Sequence, residues 1–263
     1  MTEEQKFAPS SVFEGMTSIS AVINNFETNS RRIEKVLVDN TKLKSKAKEI
    51  GFLKAKSAEL GFEIEYTDAE MLNSVTVGTT HGGIIAYCTD RILPPLTAEQ
   101  ILPNGFYVYL EGIEDPYNFG YTVRSLYAAG VDGVILPPRN WMNAAGVVAR
   151  ASAGTSEAIP MFVCESDDLA EIFHSRNYQI LCAGIRDSVS VFEGSFQYPI
   201  LLVIGGEKRG ISRNLLNSAD QIVRIDYGRE FRGSLSAASA AAVLAFSIFR
   251  KTGRNNINFV SKR

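Results

Sequence analysis

The chain reads as an α/β protein with a mostly parallel sheet in its C-terminal part and a smaller α/β unit before it. Three features predict this. From residue 105 onward, short apolar runs such as Pro199-Ile200-Leu201-Leu202-Val203-Ile204 alternate with helical patterns, as strands covered on both faces do. Several of these runs end in glycine-bearing loops, and parallel sheets hold ligands outside the carboxyl ends of their strands. The stretch 91–103 carries Pro94, Pro95 and Pro103 with little periodicity, which suits a linker. The expected organisation is a smaller α/β domain over 1–90, a linker over 91–103 and a main domain over 104–263.

In the first unit, Ile19, Val22, Ile23 and Phe26 fall at helical spacing after Ser18, which predicts a helix over 18–27. A strand is expected over 33–38. Leu43, Ala47, Ile50 and Leu53 share one face of a helix predicted over 41–60, with Gly61 as its stop. Phe62-Glu63-Ile64-Glu65-Tyr66 alternates as a half-buried strand, a short helix begins near Asp68, and Ile84-Ile85-Ala86-Tyr87-Cys88 is a further strand. In the second unit, strands are expected over 105–110, 133–136, 158–163, 178–183, 200–204 and 222–225. The helices between them begin near Phe119, Ala144, Asp167 and Ser212, and a last one covers 234–250.

With 263 residues, 45% of them hydrophobic and 21% charged, the chain can bury a full core in one large domain or two modest ones. The start, Met1-Thr2-Glu3-Glu4-Gln5-Lys6, lacks the basic-then-apolar order of a signal peptide, and no apolar run approaches the roughly 20 residues of a membrane span. A cytoplasmic protein is expected. Cys88, Cys164 and Cys182 lie far apart and far from His81 and His174, so neither a metal centre nor a disulfide framework is expected, and the cysteines read as buried free thiols.

A net charge of −2 argues against indiscriminate nucleic-acid binding. Locally, however, Arg31, Arg32, Lys35, Lys42, Lys44, Lys46, Lys48, Lys54 and Lys56 face only Glu34, Asp39 and Glu49. This is either a solvated helix face or a phosphate-contacting surface.

Three loops carry residues suited to chemistry. After the strand ending at Leu110, Asn118 stands where a helix N-cap is expected and Arg124 lies about two turns further on. Arg124 is either a surface cation or a guanidinium aimed at a phosphate or a nucleophilic hydroxyl, although its high intrinsic pKa makes a base role demanding. The second loop, Gly205-Gly206-Glu207-Lys208-Arg209-Gly210-Ile211-Ser212, has neither the Gly-Lys-Ser/Thr ending of a phosphate loop nor the spacing of a dinucleotide fingerprint. Glu207 either braces it or contacts ligand hydroxyls. The third runs from Ile225 through Asp226, Tyr227 and Gly228 to Ser234-Leu235-Ser236 and an alanine-dense helix, with Ser234 read as its N-cap.

Taken together, Asn118-Phe119-Gly120 with Arg124 and Ala128, Arg150-Ala151-Ser152-Ala153-Gly154, Gly205-Gly206-Glu207 with Gly210-Ile211-Ser212, and the stretch 228–242 resemble, in order and spacing, the motifs of the SpoU-type branch of the SPOUT RNA methyltransferases. The N-terminal unit is similar to that family's ribosomal-protein-like substrate-binding domain, including Phe13-Glu14-Gly15 and Thr80-His81-Gly82-Gly83-Ile84-Ile85-Ala86. The resemblance implies S-adenosylmethionine as methyl donor, a ribose 2′-hydroxyl of rRNA or tRNA as acceptor, a homodimer, no metal, and a C-terminal trefoil knot.

By position, the resemblance makes Arg124 the residue that activates or orients the ribose hydroxyl, supported by Asn118, with Glu207, Ser234 and Ser236 completing the catalytic set. It assigns the donor to Ile204, Gly205, Gly206, Glu207, Gly210, Ile225, Tyr227, Gly228, Ser234 and Leu235; the residues expected to contact RNA are Arg31, Arg32, Lys42, Lys46 and Lys54 of the basic window, with His81. The chain departs from the family's Ile-Pro-Met at Ile225-Asp226-Tyr227, and it has Ser236 and Ala238 where asparagine and serine are usual. The alternative reading is an RNA-binding relative that keeps the knotted dimer without catalysis.

Overall fold

The computed structural model describes residues 11–76, 81–138, 144–206 and 209–252. The chain forms two compact units. One comprises Met1–Pro94, Glu114–Arg124 and Arg139–Met161; the other comprises Pro95–Ile113, Ser125–Pro138 and Phe162–Arg263. Segments 114–124 and 139–161, expected with the main domain, group with the N-terminal residues.

The first unit is built on a four-stranded sheet of order β1-β4-β2-β3, with β1 Val12–Glu14, β2 Ile33–Asp39, β3 Glu63–Thr67 and β4 Ile84–Cys88. β4 runs antiparallel to both β1 and β2, whereas β2 and β3 are parallel. The period-two rule sorts the side chains cleanly. Val36, Val38, Ile84, Ala86 and Cys88 join Ile19 and Val22 of α1 (Gly15–Asn24), Ile50 and Leu53 of α3 (Ala47–Leu60) and Ala145 and Ala149 of α6 (Ala145–Ala151) in one core. Leu37 and Ile85 face the opposite way, onto Leu72 of α4 (Ala69–Val75).

Several expected boundaries move. α1 begins at Gly15, three residues before Ser18, because the turn out of β1 needs φ +76 there; Ser18 is buried within the helix instead of capping it. The helix also stops at Asn24, and a short α2 (Phe26–Asn29) follows. α3 begins at Ala47 because Asp39 accepts from the Thr41 N–H and holds residues 40–42 in a 3₁₀ turn. Gly61, with φ +80, ends it as expected.

This unit also holds a buried ionic cluster. Arg31 Nε donates to Glu157 of α7 (Thr155–Ala158) at 2.8 Å, and neither side chain is exposed. Arg31 Nη1 donates to Thr89 O at 2.8 Å, and its guanidinium lies 5.0 Å from the Phe13 ring centre. Arg91, also buried, donates to Ser156 O, and its Nη2 donates to Ile159 O at 2.9 Å. Burial lowers the Arg91 pKa to about 10. Residues 91–103 are therefore more than a linker: Leu96 and Ile101 are core residues of the second unit, and the Leu96 N–H donates to Val163 O.

The second unit carries a seven-stranded sheet of order β7-β6-β5-β10-β8-β11-β9, with β5 Phe106–Glu111, β6 Gly133–Leu136, β7 Met161–Val163, β8 Gln179–Ala183, β9 Val189–Ser190, β10 Ile200–Gly205 and β11 Gln221–Arg224. The pairs β5/β6, β5/β10, β10/β8, β8/β11 and β11/β9 are all parallel. The expected strand 158–163 shortens to β7 because α7 runs through Ala158. Inward residues Tyr107, Tyr109, Ile180, Cys182, Leu201 and Val203 meet Leu169 and Phe173 of α8 (Ser166–His174) and Leu215 of α9 (Arg213–Asn217). Cys88, Cys164 and Cys182 are free and buried, and burial pushes their thiols up to about 12, 11 and 12.

Candidate active site

β5 and β10 lie side by side at the middle of the sheet, in register with Gly205 opposite Glu111. From β5 the chain goes on to the neighbouring β6, whereas β10 leads to β11 on the other side of the sheet. The order of strands therefore reverses between β5 and β10, and the crevice at their carboxyl ends is where such a sheet holds a ligand.

Glycine is required there by contact. A Cβ on Gly205 would lie 2.3 Å from the carbonyl carbon of Gly210, and one on Gly206 would lie 2.2 Å from Gly112 O, where Gly112 itself has φ +104. The Gly206 N–H donates to Glu111 O at 2.8 Å, and the Gly210 N–H donates to Gly206 O at 2.9 Å. Glu111 Oε2 accepts from the Ser212 N–H at 2.9 Å. The main chain is thus pressed together, and beyond Gly210 and Gly228 a Cβ would meet open space. Without side chains at these glycines, a ligand can come close to the main chain there.

Of the expected donor residues, Ile204 is buried, while Ile225 follows the end of β11 and is half-buried. Tyr227 packs edge-on to Phe231 with ring centres 5.5 Å apart, and its hydroxyl accepts from the Leu235 N–H at 3.4 Å. Tyr227, Gly228 and Ser234 are exposed. Asp226 is held below the usual carboxylate range by hydrogen bonds from Ser190 and Arg224. Glu207 lies outside the described residues.

The last helix, α10 (Ala237–Lys251), is capped by Ser236, whose Oγ accepts from the Ser239 N–H at 3.2 Å. Ser234, expected as the cap, precedes it by two residues. Ser236 has the extended ψ of 153° that an N-cap needs.

α5 spans Pro116–Ala128 and begins before the expected Phe119. Its first turn is held by Asp115, whose Oδ1 accepts from the Asn118 N–H at 2.7 Å. Asn118 is therefore the third residue of the helix rather than its cap, and its carboxamide has no partner among the described residues. Pro116 at the first helical position was the signal for this boundary. Gly120 lets the helix approach Ala151 and Ser152 of the same unit, where a Cβ would lie 2.6 Å from the Ala151 methyl. Phe119, Thr122, Val123 and Leu126 are buried, and Tyr117, Tyr121 and Arg124 are exposed. Arg124 has no ion-pair partner among the described residues, which leaves its guanidinium available to a ligand.

The expected RNA-contacting set changes. Arg31 is buried against Glu157 and cannot meet a phosphate at the surface. His81 is also buried: its Nδ1 accepts from the Gly83 N–H, and its Nε2 lies 3.0 Å from Asn73 Oδ1. Nδ1 thus serves the turn into β4, and Nε2 reaches α4. Lys46 pairs with Glu49 at 3.0 Å. Arg32, Lys42, Lys44, Lys48 and Lys54 are exposed and have no ion-pair partner among the described residues. No cluster of metal-ligating side chains occurs among the described residues, nor is any helix there long and apolar enough to cross a membrane.

Comparison with known proteins gives a consistent picture. A family model described as the SpoU rRNA Methylase family matches residues 105–246. A protein of Bacillus subtilis assigned to the TrmH family of tRNA/rRNA methyltransferases is 27% identical over 242 residues, covering 88% of this chain and 93% of its own. A 23S rRNA (guanosine-2′-O-)-methyltransferase of Xylella fastidiosa is 25% identical, covering 90% and 96%. Among solved structures, the AdoMet-bound rRNA methyltransferase from Sinorhizobium meliloti superposes with a TM-score of 0.74 at 21% identity, over 92% of this chain and 88% of that one. This last likeness concerns the fold.

Proposed function

The chain belongs to the SpoU rRNA Methylase family, and from that premise we propose that it transfers a methyl group from S-adenosylmethionine to a ribose 2′-hydroxyl of structured rRNA or tRNA. The observation that carries this reading is the glycine-tight crevice at the carboxyl ends of β5 and β10, at the point where the strand order reverses. The donor supplies an activated methyl on a sulfonium. The protein's contribution is to hold that methyl and the hydroxyl at attack distance and in line.

In this reading, Ile204, Gly205, Gly206, Gly210, Ile225, Tyr227, Gly228 and Leu235 form the donor site, and Glu207 contributes to it. Arg124 orients the ribose hydroxyl or its neighbouring phosphate, supported by Asn118 six positions earlier on α5, whose carboxamide has no partner among the described residues. Ser234 and Ser236 complete the rim, although the structure assigns the Ser236 hydroxyl a capping role as well. The chain acts in the cytoplasm as a homodimer, and exposed Tyr127 and Phe246 are candidates for the covered surface. The C-terminal trefoil knot is part of the same proposal. Calorimetric titration with S-adenosylmethionine tests the donor site: saturable binding supports it, and no binding up to millimolar donor removes it.

Arg32, Lys42, Lys44, Lys48 and Lys54 form the electrostatic part of the RNA site. Replacing Lys42, Lys44 and Lys54 by glutamate is expected to weaken RNA binding and flatten its dependence on log salt by roughly two to three units, at about 0.7–0.9 for each phosphate that the protein ceases to neutralise. Binding measured between low and moderate salt checks this; an unchanged slope assigns these lysines to solvent.

A further inference from the structure

We propose that Glu111 is a positioning residue for donor binding, holding the backbone beyond β10 in its binding conformation through a carboxylate bond to the Ser212 N–H. The inference rests on the reading that this end of β10 is the donor site.

Two bonds made by Glu111 reach the same glycine-tight stretch. Its carbonyl accepts from Gly206 and its Oε2 accepts from Ser212, at 2.8 and 2.9 Å. The first continues the β5/β10 ladder, whose register pairs Gly205 with Glu111, and any residue could make it. Only the second depends on the side chain. Glu111 ends a strand whose other five residues are all buried and uncharged, a position where strand propensity and packing alone favour an apolar or β-branched residue.

Ser212 offers no substitute. Its own hydroxyl is buried without a hydrogen-bond partner among the described residues, and its N–H precedes α9 as the cap residue. Without the carboxylate, a donor group at the edge of the site loses a charge-assisted bond. Gly210, two residues before Ser212, is the residue whose carbonyl carbon would lie 2.3 Å from a Cβ on Gly205. A shift at Ser212 is therefore transmitted to the backbone around Gly205 and Gly206. If the binding conformation is then populated only part of the time, the apparent donor affinity falls by that fraction.

The test compares Glu111→Gln, which keeps size and an acceptor oxygen, with Glu111→Ala. Hydrogen exchange in peptides covering Ser212 is expected to quicken in both, more in the alanine variant. Donor Kd is expected to rise roughly tenfold in Glu111→Ala and less in Glu111→Gln. Donor KM should rise with Kd while kcat at saturating donor and KM for RNA hold, a split that general loss of stability does not produce. Unchanged donor Kd in both variants, or unchanged exchange at Ser212, overturns the proposal; should the alanine variant not fold, the glutamine variant decides alone. Wild-type protein that binds no donor overturns the donor site itself, and exchange at Ser212 then still decides whether Glu111 acts as a brace.

Discussion

Arg124→Ala is expected to lower methyl transfer by roughly two to four orders of magnitude, the usual range for a residue that orients or takes the proton of a reacting hydroxyl. The fold should be untouched, because Arg124 is exposed and makes no ion pair among the described residues, and exposed positions of this kind change stability by about 0.5 kcal/mol or less. The buried face of α5, with Phe119, Thr122, Val123 and Leu126, stays intact. Single-turnover transfer at saturating donor and RNA, read beside thermal unfolding, separates the two quantities. Arg124→Lys keeps the charge but loses the planar fork, so it should rescue only part of the rate if the guanidinium grips a phosphate or hydroxyl in two places. Activity retained in Arg124→Ala removes this residue from its proposed role.

Glu157→Ala is expected to be strongly destabilising, costing about 3–5 kcal/mol, because it leaves a buried guanidinium without its counter-charge. Arg31 Nε and Glu157 Oε2 are 2.8 Å apart with both side chains fully covered, and Arg31 Nη2 already has no acceptor among the described residues. Arg91, with its pKa lowered by burial, also feels the Glu157 charge. Denaturant unfolding of Glu157→Ala should therefore show a much lower midpoint than that of Lys56→Ala, which removes only an exposed pair with Glu59. Equal midpoints would show that the ionic cluster contributes little to holding the unit together.

Continuous apolar runs were legible where they filled a strand. Ile84–Cys88 and Gly133–Leu136 have the bounds their composition predicts. The order of glycine loops likewise marked the carboxyl end of β10. The RNA-contacting set failed where a side chain is already spent on partners inside the fold. Arg31 reads as one of nine basic residues in a window, yet its partner Glu157 is 126 positions away. His81 was expected to contact RNA, yet Asn73 and the Gly83 N–H, eight and two positions away, occupy its nitrogens.

Caps failed for a different reason. Asp115 precedes Pro116 and competes with Asn118, and Ser236 competes with Ser234; in each pair both residue types are good caps. The choice depends on where the helix can start against its neighbours. Glu111 carried a readable signal, a lone carboxylate ending an otherwise apolar strand, but its target Ser212 is 101 residues further on. The departures at Asp226 and Tyr227 also have local explanations: Asp226 pairs with Arg224 at 2.7 Å, and Tyr227 packs on Phe231 and reaches the Leu235 N–H. These interactions give that loop a structure of its own in place of the usual Ile-Pro-Met.

Ribose methylation is tested by analysis of the labelled product. The purified 263-residue chain is incubated with methyl-labelled S-adenosylmethionine and unmodified rRNA and tRNA, and the RNA is digested to nucleosides. The label is predicted to appear in 2′-O-methylated nucleosides and to be lost with Arg124→Ala. Label confined to a base, or RNA bound with no label transferred, contradicts the account, and the second result favours an RNA-binding protein without catalysis.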